Sequence, residues 1–151
     1  MKLTSVFKEG ESIPSKYTCD GANETITLSV SDVPSSAKSL ALIMDDPDIP
    51  NFVKKKFGIT EFVHWVLFNI APNVKTIGPS THGVNGKNSS GENKYAGPCP
   101  PDKEHRYFFR LYALDKILDL KEGATKEQAL DAMKGHVLAE EQLIGRYNRV
   151  K

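Results

Sequence analysis

Three stretches of this chain, SLALIM (39–44), HWVLFNI (64–70) and RYFFRLYAL (106–114), are nearly unbroken apolar runs. They are too short for buried helices and too apolar for strands with one wet face, so they read as central strands covered on both sides. ITLSV (26–30) instead alternates at a period of two, the pattern of a half-exposed strand. A mostly β (α+β) fold follows. At 151 residues the chain is long enough to bury a core as a single domain, 1–151, without metal or disulfide.

Helix is expected only late. Thr125, with Gln128 three positions on, forms a capping-box signature ahead of Ala129, Leu130, Ala132 and Met133, and Gly135 marks the end. A second helix is read from about Val137 to Leu143, with Val137, Leu138 and Ile144 turned inward. Between Pro72 and Pro101 the chain is rich in Gly, Asn, Ser and Pro. A loop of that length ending in the rigid GPCPP reads as ordered and functional rather than as a linker.

Twenty basic and nineteen acidic residues leave a net charge of +1, so no overall field favours nucleic acid or an anionic membrane. The N-terminus lacks a signal-peptide core and no apolar run approaches ~20 residues, so a cytoplasmic protein without stable membrane insertion is expected. Cys19 and Cys99 form no CxxC pair. Neither zinc nor a thioredoxin-like motif is indicated, and the reading favours buried thiols, with a disulfide between them left open.

Chemistry concentrates at three strand ends. In DDPDIP (45–50), Pro47 and Pro50 each remove a backbone donor, so the preceding strand stops near Asp46 and its carboxylates sit on a rigid corner. An Asp-Pro bond in such a corner can also be cis. The plain alternative is a solvated turn. His64 sits inside an apolar run, where a buried neutral imidazole bonded to a carbonyl is the usual outcome, unless it lies near a pocket. In EHRYFF the period of two puts His105, Tyr107 and Phe109 on one face, with Arg106 and Phe108 on the other. Arg106 is expected to pair with an aspartate. Together Asp46 or Asp48, His64, His105 and Tyr107 would line one polar pocket. No serine or cysteine stands in a nucleophile context, and the HxxH and HExxH patterns are absent, so neither a catalytic triad nor a metal or other cofactor is expected.

In order along the chain, YTCDGAN, DDPDIP, HWVLFNI, GKNSSGENKYAGPCPP, HRYFFRLYALD and GHVLAEEQLIGRY resemble the phosphatidylethanolamine-binding protein family, in particular its bacterial and archaeal Raf kinase inhibitor-like branch. The resemblance implies a large central antiparallel sheet packed on a smaller one, C-terminal helices, and an end pocket for a phosphoryl or similar anionic head group. It implies Asp46, His64, His105 and Tyr107 as pocket residues, with Pro100 and Pro101 completing the lining and Pro50 and Phe62 at the rim. Asp46 would accept from a histidine, Asp48 would tie its loop to Arg106, and amides around Cys99 would add donors. A carboxylate beside an imidazole raises its pKa, so anion binding is expected to tighten below neutral pH. The function implied is non-catalytic: a regulator or inhibitor of a kinase or serine protease, with a homodimer compatible. The alternative is a small-substrate enzyme using His64 and His105 as acid and base.

Overall fold

Residues 1–149 are described by the computed structural model. Their order is β1 (Lys2–Ser5), β2 (Leu28–Ser31), β3 (Ser39–Asp46), α1 (Asn51–Phe57), β4 (Phe62–Ile70), β5 (Thr76–Ile77), β6 (Val84–Asn85), β7 (His105–Leu114), α2 (Lys126–Met133) and β8 (Val137–Tyr147). The five-stranded sheet runs β6-β4-β3-β7-β8 and the three-stranded sheet β1-β2-β5, with antiparallel pairing throughout.

The continuous apolar runs become the middle of the larger sheet because both of its faces are covered. Every residue of β3 is buried. Leu40, Leu42 and Met44 face the smaller sheet with Trp65, Leu67 and Phe109, against Leu28, Val30 and Ile77. Ala41 and Ile43 face the other way with Val66 and Phe68, beneath Ala129 and Met133 of α2. The alternating segment is β2, buried and exposed by turns as its period requires. Thr125 caps α2 in a reciprocal capping box with Gln128.

The segment expected as a second C-terminal helix is instead β8, an eleven-residue strand. It pairs with β7 from His105↔Tyr147 to Leu114↔Val137, and Val137 and Leu138 are each 41% exposed rather than turned inward. Its local spacing suits a helix, but the open edge of β7 offers a full ladder of hydrogen bonds and decides the outcome. Gly145 sits where a Cβ would press on Phe7 and Ile13, so this part of the strand lies close against the N-terminal segment.

Helix α1 directly follows DDPDIP and has no apolar stripe to announce it; none of its residues is buried. Pro50 is its N-cap, three lysines fill its last turn, where the helix dipole favours cations, and Gly58 ends it at φ 64°. The long loop is ordered around Asn88. The Asn88 amide donates to the Lys94 carbonyl, and its side-chain oxygen accepts from the Ser90 and Glu92 N–H groups. Cys19 and Cys99 are joined in a disulfide with Cα atoms 5.4 Å apart, which corrects the expectation of buried thiols. No described peptide bond is cis, so the Asp46–Pro47 corner is trans.

Candidate functional site

Because β3 runs antiparallel to both β4 and β7, its C-terminal end meets the N-terminal ends of its two neighbours. Asp46 therefore stands across from Phe62, and His105 and Tyr107 begin the strand on the other side. The parity of β3 sends Asp46 to the side of Met44, where the main core lies, and Asp45 to the opposite face. There Asp45 accepts from Arg110 and Lys126, and Lys126 also reaches Glu61.

His64 reaches the same side as Asp46 through a bulge. Met44 pairs with Trp65 and Asp45 with Val63, which leaves His64 as the extra residue of β4. Simple alternation would set His64 opposite Trp65. The bulge instead brings its ring against Tyr107, edge to face at 5.2 Å, and against Phe62 at 4.7 Å. His64 Nδ1 donates to the Ala96 carbonyl at 2.7 Å, while its own carbonyl accepts from the Ala96 N–H. Burial lowers the His64 pKa from 6.5 to about 4. The ring is therefore neutral across the ordinary range, with its proton on Nδ1 and a lone pair on Nε2. For His64 the shift runs opposite to the expected raising of an imidazole pKa by a nearby carboxylate, because burial outweighs it.

His105 is wholly buried and clamped at both nitrogens. Nδ1 lies 2.6 Å from Asp46 Oδ2 and Nε2 lies 2.6 Å from Asp102 Oδ1. Each contact shares one proton between a ring nitrogen and a carboxylate oxygen. Burial raises the Asp46 pKa, against the lowering effect of its hydrogen bond with His105. Tyr107, stacked 6.4 Å from His105, is also fully buried, and its pKa is raised by burial and the nearby aspartates. Among the described residues its Oη is the one buried side-chain polar atom lacking a hydrogen-bond partner.

These groups surround a cavity of about 440 Å³. Asp46, His64, His105 and Tyr107 line it together. Pro50 and Phe62 also border it, as do Cys99, Pro100 and Pro101. Asp48 does not. Its carboxylate takes a fork of hydrogen bonds from Arg106, at 2.9 Å from both Nε and Nη2, and also accepts from the Arg106 backbone N–H. That pairing lowers the Asp48 pKa and anchors the corner from outside the cavity, so Asp48 supports the site instead of lining it. Pro47 likewise lies on that outer side.

Residues that sequence reasoning missed include Asn23, Ser90, Glu92 and Val53 in the lining, and Asp102 on His105. Only Asp102 carried a signal, a carboxylate three residues before a histidine, which is weak by itself. The 17–24 segment forms one wall because it is stapled to 95–99 at several points. Besides the disulfide, Tyr95 Oη donates to the Tyr17 carbonyl and the Gly97 N–H donates to Asn23 Oδ1. A side chain at Gly97 would collide with both Asn23 and the Tyr17 carbonyl.

The fold and the site together define a two-sheet β protein with an open-sided hollow at the end of its larger sheet, walled by the ends of three strands, by α1 and by the loops around them. The chain belongs to the phosphatidylethanolamine-binding protein family, whose model matches residues 3–148. It is 53% identical over 154 residues to a UPF0098 protein of Methanothermobacter thermautotrophicus, covering 97% of each chain. It is 48% identical over 152 residues to a UPF0098 protein of Chlamydia muridarum, covering 99% of each. The crystal structure of a phosphatidylethanolamine-binding protein homolog from Chlamydia trachomatis superposes with a TM-score of 0.93 at 45% identity, covering 98% of this chain and 97% of that one. Escherichia coli YbcL, described as a member of the mammalian family, superposes at 0.84 with 25% identity, covering 99% and 98%. A carboxypeptidase Y inhibitor, solved with its proteinase, shares the fold alone at 17% identity and a TM-score of 0.54, covering 90% of this chain and 75% of that one.

Proposed function

We propose that the protein is a non-catalytic binding module whose cavity takes the phosphoryl or other oxyanionic head of a small ligand. The Tyr107 hydroxyl carries this reading: it is wholly buried, its residue borders the cavity, and among the described residues it has no hydrogen-bond partner. Leaving a buried polar group unpaired costs about 1–3 kcal/mol, a penalty that a ligand oxygen relieves. Beside this donor, His64 Nε2 is an acceptor. A head group with both a bare and a protonated oxygen, as in a phosphate monoester monoanion, matches the two. Cys99 holds the one N–H of the Pro98–Pro101 stretch and adds a donor. Among the described residues no lysine or arginine lines the cavity, so affinity rests on directed hydrogen bonds more than on net charge.

Titration calorimetry with phosphoethanolamine and with its sulfate-ester counterpart tests the reading. Phosphoethanolamine should bind more tightly as the pH falls through ~6, where the phosphate dianion takes up a proton and becomes the monoanion, while the sulfate ester should bind weakly and without that trend. Tyr107→Phe should weaken binding roughly ten- to hundredfold and raise thermal stability, because it removes an unsatisfied hydroxyl. Unchanged affinity in Tyr107→Phe, or a flat profile from pH 5 to 8, would refute it. Release of a hydrolysis product in the same cell would favour the acid–base alternative built on His64 and His105.

A protein partner is a second reading, favoured by α1. Its Phe52 and Phe57 are 69% and 63% exposed, and Lys54, Lys55 and Lys56 make no ion pair among the described residues. The helix stands at the cavity mouth, where its Val53 joins the lining. An acidic surface on a serine protease or kinase would meet such a helix, and Phe52→Ser with Phe57→Ser should then abolish inhibition while leaving phosphoethanolamine binding intact. The cytoplasmic placement is open to a direct test through Cys19 and Cys99, since a reducing cytosol usually keeps thiols. Among the described residues no helix is long and apolar enough to cross a membrane.

A further inference from the structure

Asp102 makes a second carboxylate contact on His105. His105 already has a buried carboxylate partner, Asp46, on the neighbouring strand. Asp102 comes from the turn before β7, its side chain 37% exposed, and reaches a ring that is wholly buried. It thereby sets a second carboxyl group on His105, beside a cavity lining that holds Asp46 and, paired with Lys94 at 3.3 Å, Glu92.

We infer that Asp102 is a resident stand-in for the ligand. Its carboxylate holds the position on His105 Nε2 that an incoming oxyanion takes, and it swings out to solvent when the ligand enters. The inference rests on the oxyanion-binding reading and deepens it by naming the residue that sets which oxyanions are admitted.

Three features support the exchange. The 2.6 Å contact shows that a carboxylate oxygen is already accommodated at that nitrogen. One ring nitrogen donates along one direction, so a second anion cannot share it and must replace the first. The exit path is local. Pro100 and Pro101 stiffen the chain upstream and His105 is locked downstream, while residues 102–104 lie exposed between them; besides His105, the Asp102 carboxylate is held by the backbone at Lys103, and among the described residues it has no other side-chain partner.

A tethered competitor lowers apparent affinity by the fraction of molecules in which it is seated. A lone carboxylate ligand offers His105 little that Asp102 does not already offer. A phosphoryl group offers more, because it carries further oxygens for the other polar residues of the cavity, Tyr107 and His64. Asp102 thus acts as a threshold that excludes simple carboxylates and admits phosphoryl groups.

The test titrates phosphoethanolamine and acetate into the wild type, Asp102→Asn and Asp102→Ala, with thermal unfolding as a fold check and Tyr107→Phe as a site control. Removing the charge should raise phosphoethanolamine affinity by roughly tenfold or more and make acetate binding measurable. Binding seen only after Asp102 is replaced would support the inference equally. Asp102 variants that match the wild type while Tyr107→Phe loses binding would overturn the inference and leave the oxyanion reading standing. Weaker binding in folded Asp102 variants would show that Asp102 helps to hold the ligand, which also overturns it. Absence of binding in every variant would overturn both readings. Independently, the Asp102 carboxyl carbon signal in NMR should shift on saturation with phosphoethanolamine, and an unmoved signal would count against displacement.

Discussion

At the scale of single residues, the site is assembled from groups held in costly states. Tyr107 buries a hydroxyl that has no partner among the described residues, and His64 buries a ring whose pKa falls from 6.5 to about 4 because burial disfavours the charged form. The sign of the His64 effect can be worked out. The unfolded chain takes up a proton near pH 6.5, whereas the folded ring resists until about 4, so stability present above 6.5 is lost as the pH falls toward 4. The loss amounts to about 3 kcal/mol. Asp46 works in the opposite sense, since burial raises its pKa and protonation on acidification relieves a buried charge. Comparing urea unfolding of the wild type and His64→Gln across pH 7 to 4 isolates the histidine. The stability difference between the two should change by about 3 kcal/mol over that window, and a constant difference would show that His64 does not resist protonation in the folded state.

At the scale of elements, what places the chemistry is strand direction and one irregularity. Antiparallel pairing gathers the ends of β3, β4 and β7, and the bulge at His64 turns that side chain out of the alternation that its neighbours follow. Neither was legible in HWVLFNI, because a bulge depends on what the partner strand does at that point. The capping box at Thr125 was legible, since all its groups lie within four residues. Thr125→Ala should cost about 1 kcal/mol of stability, read by chemical denaturation. It should leave phosphoethanolamine affinity unchanged, because α2 packs on the sheet face away from the cavity. A loss of affinity would mean that the two faces of the sheet are coupled. The strand β8 marks the opposite case, where local spacing suited a helix and a ten-residue partner edge overruled it.

At the scale of the whole molecule, the cavity exists because distant segments are tied together. The Cys19–Cys99 bond closes a separation of 80 residues, and both cysteines stand in the cavity wall. Cys19→Ser with Cys99→Ser should cost about 4 kcal/mol of stability by the loop-entropy argument, and should weaken phosphoethanolamine binding by loosening the wall. Unfolding and calorimetry with and without a reductant check both, and an unchanged wall would leave affinity as it was. The sequence by itself determined the central strands, the capped helix, the stop after Asp46 and the face shared by His105 and Tyr107. Each of these follows from the polarity and backbone limits of neighbouring residues. Only the tertiary structure decided the disulfide, the turn of His64, the fate of Val137–Tyr147, the seat of Asp102 and the removal of Asp48 to the outside. Those outcomes depend on pairings between segments far apart in the chain, where hydrogen bonds and packing outweigh the local preferences that a sequence displays.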